Sequence, residues 1–220
     1  MQGESSRPRN ATERRRIDFE RLAVDVRACF ACDRMAHSHV LGEANGSLDA
    51  RVIFVAEAVG RRGGAVTGVP LTRDESGKRF ARFLASVGIH RNDTFVTNAV
   101  LCNPLDKLGH NRPPTPAEAA CCRPFLARTL DAVRAPVVVT LGRVALESLR
   151  AIAPHDADLP RDVAAAIEWR GRILIPMYHP SRQSTLHRPQ SAQEDDWRKL
   201  GEIVRTHFLR AATICPVSSL

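Results

Sequence analysis

The chain has 220 residues, 44% of them apolar, which is enough for one α/β domain with its own hydrophobic core. Lysine and arginine outnumber aspartate and glutamate 32 to 24, and the net charge of +8 favours an anionic partner, nucleic acid among them, over a cationic one. No apolar run is long enough to cross a bilayer and the N-terminus lacks a secretory core, so a cytoplasmic protein is expected, whose six cysteines serve metal or catalysis rather than disulfides.

Residues 1–16 hold arginines, serines and a proline but almost nothing to bury. They read as a disordered basic arm, either grazing DNA or simply an unstructured terminus. From Ile17 to Val26 the residues Phe19, Leu22, Ala23 and Val26 fall at helical spacing, and the helix ends near the pair Cys29-x-x-Cys32. Val52-Ile53-Phe54-Val55 then reads as a buried strand. It empties into a glycine-rich loop carrying two carboxylates, Glu57 and Asp74. The next helix is started by Ser76 and carried by Phe80, Phe83, Leu84 and Val87.

Thr94–Leu101 is a second β-rich run, ending against Cys102. A proline-rich loop follows, and Thr115 caps a helix with Pro116 at its first position and Glu118 in its first turn. That helix carries Cys121 and Cys122. A third strand, Pro136–Leu141, ends at Gly142 and passes into the helix RVALESLRAI. Residues 154–168 are a weakly patterned connection, and a fourth strand, RILIPMY, delivers His179-Pro180-Ser181. A polar loop leads to a last helix around Trp197–Leu209, and the tail from 211 to 220 reads as loose.

Strands alternate with helices, and the strands are apolar throughout. That pattern predicts a central parallel four-stranded sheet with helices on both faces, in a single domain over 17–210 without internal repeats. Glu57, Asn98 and His179 each lie at or just beyond the end of a separate strand, and in a parallel sheet those ends share one edge. Convergence there is what an active site needs.

Plainer roles compete for the same residues. His179 could be a structural hydrogen-bonder, Glu57 a solvated loop carboxylate, Asp74 a helix cap, and Asn98 a servant of its own turn. The glycines at 63, 64 and 68 could merely permit the turn. Asn111 is a second amide candidate, ranked below Asn98, while His37, His39 and His110 read as surface residues. Cys29, Cys32, Cys102 and Cys122 could form a four-thiolate metal or cluster site, or be buried and inert. Cys121 stands beside the fourth of them, and Cys215 reads as a bystander. There is no G-x-x-x-x-G-K-[ST] and no G-x-G-x-x-G.

RACFAC at 27–32, VAEAVG…TGVPLTRDESG, VTNAVLC at 96–102, NRPPTPAEAACCRPFL, TLGRVALESL and YHPSRQST together resemble the iron–sulfur uracil-DNA glycosylases, families 4 and 5, in the family's order. The resemblance runs from about Arg27 to Leu209. It implies a uracil-DNA glycosylase-like three-layer fold and a 4Fe–4S cluster whose ligands match Cys29, Cys32, Cys102 and Cys122. Cys122 is chosen because it aligns with the family's CRPFL. Glu57 in AEAVG stands in the place of the family 4 glutamate of GEAPG, whereas the later loop, with Asp74, and HPSRQST are more like family 5. Leu71 occupies the place of a phenylalanine that stacks on the extruded base, so an apolar wall remains without aromatic stacking. That leaves room for deaminated bases other than uracil.

The implied activity is hydrolysis of the N-glycosidic bond of uracil in DNA, with hypoxanthine or a related base as a further substrate, leaving an abasic site. The bond breaks with positive charge on the sugar and negative charge on the base, so a carboxylate and a hydrogen-bond donor are needed. By resemblance, His179 donates to the leaving base, and Glu57 or Asp74 orients water. Asn98, Leu71 and Gly60 meet the base; Ser181 and Arg182 meet the DNA backbone. The N-terminus of the helix after Gly142 offers a phosphate seat. A monomer acting on DNA is expected. The alternatives are a relative with altered base specificity and an iron–sulfur DNA-binding relative without glycosylase activity.

Overall fold

The computed structural model describes residues 10–214, with side chains to residue 207. Helix α1 (Ala11–Arg27) opens on Asn10, whose side chain accepts from the Glu13 N–H, and it buries Phe19, Leu22, Ala23 and Val26. Residues 11–16, expected within the disordered arm, are therefore helical. Their arginines and glutamate are good helix formers but lack an apolar stripe, and the stripe was the signal that started the expected helix at Ile17. Residues 1–9 lie outside the described chain.

Strand β1 (Met35–Ala36) pairs antiparallel with β4 (Asn103–Pro104), so that Ala36 faces Asn103. The main sheet holds β2 (Val52–Ala58), β3 (Thr94–Val100), β5 (Val137–Leu141), β6 (Ile167–Trp169) and β7 (Arg172–Met177) in the order β3-β2-β5-β7-β6. The four strands expected from sequence are parallel to one another. A fifth, β6, adds an antiparallel edge against β7. At three residues it is too short to show a period, which is why 154–168 read only as a connection.

Between these strands lie α2 (Gly64–Thr67), α3 (Glu75–Ser86), α4 (Pro116–Ala132) and α5 (Arg143–Arg150), with α6 (Gln190–Ile214) last. The Thr115–Glu118 capping box starts α4 as its sequence predicts. Helix α6 begins at Gln190, seven residues ahead of the expected start, because its first turns are polar and only Trp197, Leu200 and Val204 carry the buried stripe. It continues to Ile214, so 211–214 are helical, and 215–220 lie outside the described residues.

Alternation along β2 builds the three layers. Ile53 and Val55 pack with Phe19, Leu22, Leu126 and Leu146 of α1, α4 and α5. Phe54 and Ala56 pack on the other face with Phe80, Phe83 and Trp197 of α3 and α6. Trp197 stacks on Phe83 at 5.0 Å and meets Phe80 edge-on. The chain leaves β2 toward β3 on one side and returns to β5 on the other. The carboxyl ends of β2 and β5 thus form the switch point where open α/β sheets bind ligands. Among the described residues no helix is long and apolar enough to cross a membrane.

Candidate active site and cysteine pocket

A cavity of about 880 Å³ opens at that edge. Glu57 reaches it from the end of β2, Asn98 from β3, and His179 from the turn after β7; Gly60, Leu71, Asp74 and Ser181 complete the group. Seven of the eight residues expected at the site therefore share one cavity. Arg182 does not line it; it is exposed, with its carbonyl accepting from the Thr185 hydroxyl.

Three of the polar groups have no partner among the described residues. Asn98 is 2% exposed, yet among the described residues its amide makes no hydrogen bond. Glu57 has no ion pair there, and burial alone raises its carboxyl above the ordinary 4.5. His179 is half-buried where it lines the cavity, and desolvation lowers its imidazole to about 4. A carboxylate, an amide and a neutral imidazole thus face one space with their hydrogen-bonding capacity unspent.

Asp74 is tied down. Its Oδ1 accepts from the Gly77 N–H at 2.9 Å as the N-cap of α3, the plainer role expected of Asp74, so that the helix starts ahead of Ser76. Its Oδ2 lies where a Cβ on Gly60 or Gly63 would fall, at 2.8 and 2.5 Å, so these positions are glycine because the carboxylate comes so close. Gly142, at φ 98°, needs glycine for its backbone. Leu71 sits at φ 51°, an uncommon left-handed conformation for leucine, at the cavity wall. Replacing Asp74 by alanine is expected to cost about 1 kcal/mol of stability, and Asp74→Ser to recover most of it as an alternative cap. Urea unfolding of the two variants checks this.

Sequence reasoning missed Arg79. It is 8% exposed on α3, and its guanidinium donates to the carbonyl of Pro180 at 3.2 Å and to Gln190 and Gln193 at 2.7 and 3.2 Å. It pins the residue after His179 to α3 and α6. The available signal was an arginine four residues before Phe83, on the apolar face of that helix.

A second cluster of side chains gathers thiols. Cys29 and Cys32 follow α1, Cys102 follows β3, and Cys121 and Cys122 lie on α4; all are free. Desolvation, then Cys121 and Cys122 nearby, push the Cys32 thiol up to about 12. Burial, with Cys102, Cys121 and Cys29 close, pushes Cys122 up to about 11. Cys102 is raised chiefly by burial, although backbone N–H groups of His39 and Ser38 point at its sulfur. Thiolates crowded in this way are tenable only around positive charge, so the donor set fits a thiolate-held metal centre.

His39 is not a plain surface residue: its Nε2 lies 2.7 Å from the Cys29 carbonyl, and its ring packs against Phe30 and His37. Ring nitrogens of His37 and His39 and the Cys102 sulfur fall within 4.8 Å of one another. His110 does stay at the surface, 3.6 Å from the Asp106 carboxylate. Arg112 braces the pocket by gripping Glu118 through two hydrogen bonds of 2.8 and 2.6 Å while donating to the Arg34 carbonyl.

The strand tips of this largely parallel α/β sheet present a carboxylate, an amide and an imidazole to one cleft, at the edge where open α/β folds bind ligands. A model of the uracil DNA glycosylase superfamily matches residues 43–201. A type-4 uracil-DNA glycosylase of Archaeoglobus fulgidus is 32% identical over 83% of this chain and 91% of its own. One of Thermotoga maritima is 31% identical over 74% and 81%, and a type-5 enzyme of Thermus thermophilus 30% over 77% and 90%. The chain belongs to the uracil DNA glycosylase superfamily.

Proposed function

We propose that this protein is a monofunctional DNA glycosylase that hydrolyses the N-glycosidic bond of uracil in DNA and leaves an abasic site. The observation that carries the reading is the convergence of Glu57, Asn98 and His179, none with a partner among the described residues, on one cavity.

The target base must leave the stack to enter. Asn98 offers both an amide donor and an acceptor to the edge of a pyrimidine. Leu71 and the backbone at Gly60 wall the base, and His179 sits behind a carbonyl oxygen. As the bond from the sugar C1′ to the base nitrogen breaks, its electron pair moves into the base. The neutral imidazole N–H donates a hydrogen bond to the oxygen where that charge gathers. Glu57 orients water toward C1′ and takes its proton as the oxygen bonds to the sugar, while the base leaves as an anion and is protonated from solvent, to which Glu57 then returns its proton. Asp74 adds negative charge near the cationic sugar and braces the glycine loop. Ser181, Arg182 and the N-terminus of α5 after Gly142 hold phosphates.

Cys29, Cys32, Cys102 and Cys122 would hold a 4Fe–4S cluster, and what it supplies when bound is a structural tie between α1, β3 and α4. One chain furnishes every group assigned here, in keeping with a monomer, and free thiols suit a reducing cytoplasm. Leu71 in place of an aromatic ring favours a second, weaker substrate such as hypoxanthine.

A labelled oligonucleotide with a single uracil, incubated with protein and then alkali, tests the proposal. Strand scission at the uracil is expected. Binding without scission at uracil or hypoxanthine would favour a binding relative without catalysis. The rate carries its own pH signature. Glu57 must be ionised to accept a proton and its pKa is raised, so release should fall about tenfold per unit as pH drops below an inflection lying above 4.5. Single-turnover rates across the acid range check the sign and place of that limb.

A further inference from the structure

We infer that Asn103 is a positioning residue, hanging the wall of the catalytic cavity from the segment that carries Cys102. The inference rests on the glycosylase reading, although its geometry does not.

Asn103 directly follows Cys102, lies in β4 and is fully buried. Its Nδ2 donates to the Val59 carbonyl at 2.7 Å and to Asn111 Oδ1 at 3.0 Å. The same Asn111 oxygen accepts from the Arg61 N–H at 3.1 Å, and the Arg61 guanidinium reaches the Gly109 carbonyl at 2.7 Å. The Val59 N–H in turn points to the Cys102 carbonyl at 3.4 Å. Both backbone polar groups of Val59 are therefore held by residues 102 and 103.

Val59 and Gly60 come immediately after the last ladder pair of β2, Ala58 with Val100, two and three residues after Glu57. Beyond that pair the sheet no longer fixes the backbone, and the side chain of Asn103 takes over. Both hydrogens of its Nδ2 have acceptors, while its Oδ1 is buried with no partner among the described residues. A flipped amide would set Oδ1 against two acceptors, so its orientation is fixed. Aspartate cannot make these donations, and leucine fills the volume without them. The residue thus acts through two N–H groups, one on the Val59 carbonyl of the loop and one on the Asn111 oxygen that also accepts from the Arg61 N–H. Because Cys102 and Asn103 are consecutive, whatever orders the cysteine pocket also registers the loop at 59–61.

Asn103→Leu keeps the packing volume and removes both donors. Its single-turnover uracil release is expected to fall about 30- to 100-fold, the size of a displacement near 1 Å at a reacting centre. Affinity for uracil DNA should stay within about threefold, because the phosphate-binding groups lie elsewhere. Iron content and visible absorption should match the wild type, and hydrogen exchange should quicken at Val59 and Arg61 but not in β2 or β3. Asn103→Gln, which restores the primary amide, should recover part of the rate. If the leucine variant does not fold, Asn103→Ser carries the same readouts.

Unchanged exchange at 59–61, or a rate within about threefold of wild type, would overturn the inference. So would loss of iron together with activity, which would make Asn103 a residue of the cysteine pocket alone. If the wild type releases no base, the glycosylase reading fails, and the exchange measurement still decides whether the strap exists.

Discussion

His179→Ala is expected to slow single-turnover uracil release by about 1000-fold, the upper range for removing one preorganised donor to a developing oxyanion. The imidazole is suited to this by its surroundings. Desolvation at the cavity floor lowers its pKa to about 4, so it is neutral from about pH 5 upward and donates through N–H without giving up a proton. Arg79 holds the Pro180 carbonyl next to it, so the donor is placed before the base arrives. Two corollaries separate this role from a merely structural one. Affinity for uracil DNA should change little, since the charge is met only as the bond breaks. The pH profile should also lack an imidazole limb near neutrality and show only the acid limb of Glu57. A His179→Ala protein that still releases uracil within about threefold of the wild-type rate would remove His179 from the mechanism.

The second large effect concerns the adjacent pair on α4. Cys122→Ser is expected to give colourless protein without iron, destabilised by more than about 4 kcal/mol, as for loss of a structural metal. Cys121→Ser should stay brown. Cys122 is buried, with Cys29, Cys102 and Cys121 close to it, whereas Cys121 is only half-buried, and both neighbours act on Cys32. Iron analysis and visible absorption of the two purified variants decide between the neighbours. Loss of colour in Cys121→Ser with retention in Cys122→Ser would reverse the assignment, and stoichiometric zinc in wild type would contradict a cluster.

The sheet and the convergence of its tips were legible because they rest on strong local signals. Val52–Val55 and Val137–Leu141 are β-branched runs too short for helices, and a parallel sheet puts their polar successors on one edge. Glu57, Asn98 and His179 follow from that rule alone. The starts of α1 and α6 were not legible, because polar helical turns carry no period. Asp74 shows a different limit: an acidic residue before a helix is both a cap and a candidate for chemistry, and sequence does not reveal that its first oxygen caps α3 while its second lies against Gly60 and Gly63 at the cavity. His39 was misread because nothing near it in sequence reveals the Cys29 carbonyl. Arg79 and Asn103 escaped for the same reason, since their acceptors lie 101 and 44 residues away.

The account turns on one nucleobase being held between groups from separate strands. A crystal structure of Glu57→Gln bound to uracil-containing DNA measures this most directly. The expected result is an extruded uracil with its edge against the Asn98 amide, Leu71 at its face and the His179 ring nitrogen within hydrogen-bond reach of a base oxygen. A uracil bound outside this cavity, or inside it with His179 and Asn98 both out of reach, would contradict the account.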